Sequence, residues 1–147
     1  MNKTGMASRP LRILLADDDE GLRNVVGRLA ELRGHQLTWA ATGGSTVAAA
    51  VALQPDAIVL DMDFPDADGR DILCQLKSDD RTKRIPVVVW SGRSARESDS
   101  RIALDSGAEA YIEKGAASLL LSKLERLSLR IDEEQLRPPG AALKSVV

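Results

Sequence analysis

The chain has 147 residues, 44% hydrophobic and 29% charged, with 20 Lys and Arg against 22 Asp and Glu for a net charge of −2. That length fits one domain with a buried core, and the slightly acidic balance excludes a nucleic-acid binder, which needs surplus cations along a row of phosphates. The longest apolar run, 47–53, is about a third of a membrane span, so the sequence predicts no transmembrane helix.

Residues 1–10 have no apolar core, so they are read as a flexible N-terminus and not as a signal peptide. Residues 11–16, Leu11 to Ala16, read as a buried strand. Residues 19–33 follow with Leu22, Val25, Val26, Leu29 and Leu32 at the spacing of an amphipathic helix, which Gly34 stops. His35, just beyond that stop, is expected to face solvent. A strand at 37–41 and an Ala-rich helix at 44–54 come next. Residues 57–60 are a wholly apolar strand, expected to be buried on both faces. After a loop at 65–69, Ile72, Leu73 and Leu76 mark a helix, in which Cys74 reads as a small apolar filler. This single cysteine cannot form an internal disulfide, which fits a reducing cytoplasm. A fourth strand spans 86–90, a helix 95–106, a fifth strand 110–112 and a long helix 116–134. The remainder, 135–147, contains Pro138, Pro139 and Gly140 and reads as a flexible tail.

Five strand–helix pairs in strict alternation predict an α/β domain over 11–134, with a parallel sheet covered on both faces. Right-handed crossovers leave few topologies. Two Trp, one Tyr and one Phe make the core aliphatic. Trp39 and Trp90 read as packing residues, Trp90 close enough to the next position to sense it.

In such a sheet, ligands bind beyond the carboxyl ends of the strands. Asp17, Asp18 and Asp19 follow the first strand, Asp61 and Asp63 the third, Ser91 the fourth and Lys114 the fifth. Clustered carboxylates repel unless a cation joins them, and an open all-oxygen acidic site suits Mg²⁺. A carboxylate beside such a cation can attack phosphorus, while a lysine neutralises the transferred phosphoryl oxygens. The pattern predicts metal-assisted phosphoryl transfer to an aspartate. Asp19 and Glu20 read instead as helix-capping and first-turn acids, and Asp66 and Asp68 as loop and cap residues.

From about Leu11 to Leu127 the chain resembles the receiver domain of bacterial two-component response regulators. Ile13-Leu14-Leu15-Ala16-Asp17-Asp18-Asp19 is similar to the family's first strand and acidic pair. Asp61-Met62-Asp63-Phe64-Pro65-Asp66-Ala67-Asp68-Gly69 is similar to its phosphoacceptor loop. Ser91, Tyr111 and Lys114 fall at the positions of the switch hydroxyl, the switch aromatic and the lysine. The resemblance implies a doubly wound, flavodoxin-like sheet of order 2-1-3-4-5 with five helices. It also implies a stand-alone, non-enzymatic signalling protein of the cytoplasm. Asp61 would take a phosphoryl group from a sensor histidine kinase or phosphotransfer protein. Asp17, Asp18, Asp61 and the main-chain carbonyl of Asp63 would hold Mg²⁺. Lys114 would pair with Asp61 and then with the phosphate, while Ser91 and Tyr111 would turn inward and present a new face to a downstream protein target.

Two departures stand out. Gly115 replaces the family's usual cis-proline, and a cis bond costs about 2.5–4 kcal/mol without proline against about 0.5–1 with it, which predicts a trans bond and a more mobile loop. Asp63 and Arg93 would flank the phosphate, where their pairing would alter access of water. Two other functions compete. One is a receiver-like binding module that no longer switches by phosphate, against which the retained Asp61, Ser91 and Lys114 speak. The other is a haloacid-dehalogenase-like phosphatase, whose Asp-x-Asp start is matched by Asp61-Met62-Asp63. That family places a further acidic motif after its lysine in a longer chain, whereas here the acidic pair comes first.

The last helix carries a stripe of Leu120, Leu124, Leu127 and Ile131 that should cover the sheet. Leu119, Leu121, Leu129 and Leu136 lie off it, more than one domain face can bury. The fifth helix therefore reads as an interaction surface for a homodimer, with a partner helix from the kinase or scattered exposed leucines as the alternatives.

Overall fold

Apolar runs bounded by charge produce short buried strands, and longer segments with one apolar face cover them. The computed structural model describes residues 9–92 and 97–136. In chain order the elements are β1 (Arg12–Ala16), α1 (Glu20–Leu32), β2 (Gln36–Ala40), a 3₁₀ turn (Gly43–Ser45), α2 (Thr46–Leu53), β3 (Ala57–Leu60), α3 (Gly69–Ser78), β4 (Val87–Ser91), α4 (Glu97–Asp105), β5 (Ala110–Glu113) and α5 (Ala117–Leu136). The strands form one five-stranded sheet in the order β2-β1-β3-β4-β5, with every neighbouring pair parallel. This is the doubly wound, flavodoxin-like α/β fold expected from the sequence. No helix among the described residues is long and apolar enough to cross a membrane.

The central strands β3 and β4 are buried at every position, whereas the edge strands β2 and β5 are only partly covered. The sheet divides the core in two. On one face Leu14, Ile58, Leu60, Ile72, Leu73, Leu76, Val87 and Val89 pack together. On the other, Ile13, Leu15, Val59, Val88 and Trp90 pack with Val26 and Ala30 of α1 and Leu120, Leu121, Leu124 and Leu127 of α5. Each fully buried leucine contributes roughly 1.5–3 kcal/mol, so the sheet is held firmly from both sides and its strand ends are fixed in register.

Four expectations change. Val25 and Leu32 are 57% and 68% exposed. They lie seven residues apart on one line of α1, about 100° round from Val26 at the pitch of an α-helix. Gly27, whose added Cβ would stand 3.3 Å from Leu37, brings α1 close to β2 through its other flank. His35 does not face solvent. It is buried, accepts the Leu11 amide at Nδ1 (3.0 Å) and meets Glu125 of α5 at Nε2 (2.8 Å), so it satisfies a backbone donor that would otherwise be lost at the start of β1. Cys74 is exposed, because Ile72, Leu73 and Leu76 take the inward arc of α3. Leu121 belongs to the core with Val26 and Ala30, because α1 lies alongside α5 and widens its buried arc. Of the leucines off the stripe, Leu119 is 67% exposed, Leu129 is half-buried, and the side chain of Leu136 lies outside those described. Segments 1–8 and 137–147 also lie outside the described residues.

Candidate phosphoacceptor site

The strand register places two carboxylates abreast. Ala16 of β1 pairs with Leu60 of β3, and an aspartate follows each. The Asp61 amide donates to the Ala16 carbonyl (2.9 Å), and the Asp17 amide donates to the Ala40 carbonyl at the end of β2 (3.1 Å). β1 and β3 are neighbours although they are not consecutive, so this is the point where the strand order reverses and open α/β sheets carry their ligands. Asp17 and Asp61 are buried, Asp18 is exposed, and each can offer one carboxylate oxygen within 4.8 Å of the other two.

Lys114, one residue beyond β5, reaches across β4 to both buried acids. Its Nζ stands 2.8 Å from Asp17 Oδ2 and 3.4 Å from Asp61 Oδ1. The Lys114 amide donates to the Ser91 carbonyl (2.6 Å), which carries the β4–β5 ladder past its end and ties the lysine to the serine position. The Lys114–Gly115 bond is trans.

Among the described residues, two buried carboxylates therefore share one ammonium, with the exposed Asp18 carboxylate alongside. Burial, and then the charge of Asp17, push the Asp61 carboxyl up to about 6, against the pull of Lys114 and the Asp63 amide. Burial disfavours the Lys114 ammonium, but its bond to Asp17 and the charges of Asp17 and Asp61 outweigh this and raise its pKa. The lysine stays charged, and the acids stay under-compensated.

The loop after Asp61 is closed tightly. Its Oδ1 accepts the Asp63 amide (3.3 Å), and the Gly69 amide donates to the Met62 carbonyl (3.0 Å). A Cβ on Gly69 would come within 2.4 Å of Met62 Cα, so no larger residue fits without moving that backbone. Asp68 caps α3 by accepting the Arg70 amide, and Asp19 caps α1 by accepting the Leu22 amide, which is the capping role expected of both. The Asp63 side chain is exposed, and Arg93, its expected partner, lies outside the described residues. Ser91 is buried at the end of β4. Tyr111, opposite Val89, is half-buried, and its hydroxyl is enclosed without a hydrogen-bond partner among the described residues.

Two contributors escaped the sequence reading. Trp39 is more than packing, because its Nε1–H donates to the Asp17 carbonyl (2.6 Å) while Arg23 stacks 4.3 Å from the ring centroid. The signal available was its position one residue before Ala40, the partner of Ala16, which puts the indole beside Asp17 once the β1–β2 register is known. Asp66 accepts the Gly43 and Gly44 amides (2.9 Å each), pinning the phosphoacceptor-like loop to the start of the 3₁₀ turn. A loop aspartate facing a Gly-Gly pair two elements away leaves no local pattern.

Asp17, Asp18 and Asp61 could hold a metal ion. The donors are all hard oxygens, and Lys114 offsets one of the three negative charges, so a small hard cation such as Mg²⁺ fits the donor set better than a soft or thiol-seeking metal.

Residues 13–125 match the family model described as the response regulator receiver domain. The chain is 34% identical over 137 residues to the DNA-binding dual master transcriptional regulator RpaA of Synechocystis, covering 92% of this chain and 55% of that protein. It thus spans about half the length of that relative. Among solved structures it is similar to a CheY-like response regulator receiver domain protein from Methanospirillum hungatei (TM-score 0.77, 26% identity, covering 85% of this chain and 98% of the other). It also shares its fold with the receiver domain of sensor histidine kinase PA1611 from Pseudomonas aeruginosa (TM-score 0.72, 23% identity, covering 81% and 98%), in which a magnesium ion is coordinated in the active site cleft.

Proposed function

Since the chain belongs to the response regulator receiver domain family, we propose that it takes a phosphoryl group on Asp61 from a sensor histidine kinase or phosphotransfer protein. Receiver domains are phosphoacceptor signalling modules of two-component systems. The observation that carries the assignment is the placement of Asp61. Asp17 and Asp61 are both buried carboxylates at strand ends that share Lys114 with the exposed Asp18 in reach, and of the two it is Asp61 that opens the tight loop closed at Gly69.

A carboxylate oxygen of Asp61 forms a bond to phosphorus as the phosphorus–nitrogen bond to the donor's histidine breaks and the imidazole leaves with its electron pair. Lys114 faces the carboxylate and balances charge on the transferred group. Asp17, Asp18 and Asp61, with the Asp63 main-chain carbonyl as a further ligand, would hold Mg²⁺, which when bound neutralises negative charge on the phosphoryl oxygens. Ser91 then hydrogen-bonds the phosphate. Tyr111, whose enclosed hydroxyl lacks a partner among the described residues, turns with it, so that a local charge change biases the surface of β4, α4 and β5 toward a downstream protein. Chemistry is limited to self-phosphorylation and self-dephosphorylation, which sets this reading apart from a phosphatase acting on other substrates.

The domain is taken as residues 11–134, working in the cytoplasm, with contact to proteins and not to nucleic acid as its output. Action as a stand-alone unit is part of the proposal, and the length of the native polypeptide on an immunoblot checks it. So is self-association through α5, now centred on Leu119 because Leu121 is in the core. Leu119→Glu should turn a dimer into a monomer in sedimentation.

The test of the assignment is intact mass after incubation with acetyl phosphate and Mg²⁺. The wild type should gain about 80 Da, the mass of one phosphoryl group, and Asp61→Ala should gain nothing. A Mg²⁺-dependent adduct that persists in Asp61→Ala rejects the assignment.

A further inference from the structure

The proposed chemistry leaves Trp39 unused, yet this side chain grips the main chain between the two metal-binding acids. Its Nε1–H donates to the Asp17 carbonyl at 2.6 Å. That carbonyl belongs to the planar peptide group joining Asp17 to Asp18, so its direction fixes where the nitrogen and Cα of Asp18 lie. Asp17 is otherwise well held. Its amide goes to Ala40, its Oδ1 accepts the Asp19 amide (2.9 Å), and its Oδ2 meets Lys114 (2.8 Å). Asp18 is exposed and, among the described residues, its carboxylate has no hydrogen bond or ion pair of its own. The indole is itself immobilised. The Arg23 guanidinium lies 4.3 Å from its centroid while its Nη2 stands 3.7 Å from Glu20 Oε2, so the ring face and Glu20 together orient that arginine.

We propose that Trp39 is a positioning residue for the cation site. It holds the peptide between Asp17 and Asp18 so that the Asp18 carboxylate stays in reach of those of Asp17 and Asp61. This rests on the reading of the three acids as a divalent-cation site. Groups that orient metal ligands from behind commonly change metal affinity by about 10–100-fold when removed. Trp39 does so through the main chain of the residue before its ligand.

The experiment is a calorimetric Mg²⁺ titration of the full chain as wild type, Trp39→Phe, Asp18→Asn and the double variant. Phenylalanine keeps an aromatic ring beneath Arg23, smaller than the indole, and lacks the N–H donor. Trp39→Phe should weaken Mg²⁺ binding about tenfold. The double variant should bind no more weakly than Asp18→Asn alone, because both changes disable the same ligand. A purely structural role would lower the melting temperature in chelator and leave Mg²⁺ affinity within twofold of wild type. That result, or losses that add in the double variant, overturns the inference while leaving the cation site standing. A wild type that binds no Mg²⁺ overturns both. Should Trp39→Phe fail to fold, the indole Nε1–H resonance of Trp39 decides, assigned by its persistence in Trp90→Phe. It should shift on Mg²⁺ addition in wild type and stay in place in Asp18→Asn, and an unmoved wild-type resonance overturns the inference.

Discussion

At the amino ends of the strands, Arg9 pairs with both Asp56 (3.0 Å) and Asp132 (3.0 Å), Arg33 and His35 share Glu125 (2.8 Å each), and Arg81 holds Asp79 (2.8 Å). At the carboxyl ends, Asp17 and Asp61 share Lys114 among these contacts, with the Asp18 carboxylate close beside them. The carboxyl groups respond in opposite directions. The side-chain hydrogen bond from Arg81, followed by its amide, pulls Asp79 down to about 2, whereas burial and Asp17 push Asp61 up to about 6. The same fold that pairs its acids at one end leaves them under-compensated at the other, and such perturbation marks a site built to receive charge.

The most severe way to break the contrast is to remove the cation that Asp17 and Asp61 share, Lys114. Lys114→Ala leaves buried Asp17 and Asp61 without their partner, which should cost about 3 kcal/mol of stability in chelator at pH 8, read by urea unfolding. Supplying the missing cation works the other way. Mg²⁺ at a hundred times its dissociation constant should stabilise the wild type by about 2.7 kcal/mol and raise its melting temperature, and Asp17→Asn with Asp18→Asn should erase that gain.

Removing one acid sharpens the comparison further. The folded pKa of Asp61 lies above its ordinary 3.8, so the native state holds a proton that the unfolded chain has released between those values. Stability tied to Asp61 is therefore full below pH 3.8 and is lost as pH rises through about 6. Asp61→Asn should accordingly stabilise the metal-free protein by roughly 2–3 kcal/mol at pH 8, with the gain fading as pH falls from about 6 toward 3.8. Denaturant curves across pH check the sign. The smallest effect belongs to the balanced end, where Arg9→Ala should cost less than about 1 kcal/mol, because exposed pairs are screened and flexible.

Much of this was legible in the chain because it depends on periodicity and on strand ends. The all-apolar 57–60 run became β3 with every residue buried, and the acids after β1 and β3 met because their strands pair. The approach of Lys114 to them follows from the same ordering of strands. What escaped depends on neighbours distant in sequence. Whether His35 is buried is decided by Glu125 and the Leu11 amide. The burial of Leu121 is decided by α1, and the role of Trp39 by the β1–β2 register. The exposure of Val25 and Leu32 follows from how closely Gly27 lets α1 approach β2. None of these neighbours leaves a periodic trace in its own segment.

The central claim is that the carboxyl end carries uncompensated negative charge that a bound cation relieves. The most direct measurement is the titration of the Asp61 side-chain carboxyl carbon by NMR, first in chelator and then in Mg²⁺. The account predicts a midpoint near 6 without the cation and a clear downward shift with it. A midpoint near the ordinary 3.8 in chelator, unmoved by Mg²⁺, would contradict it.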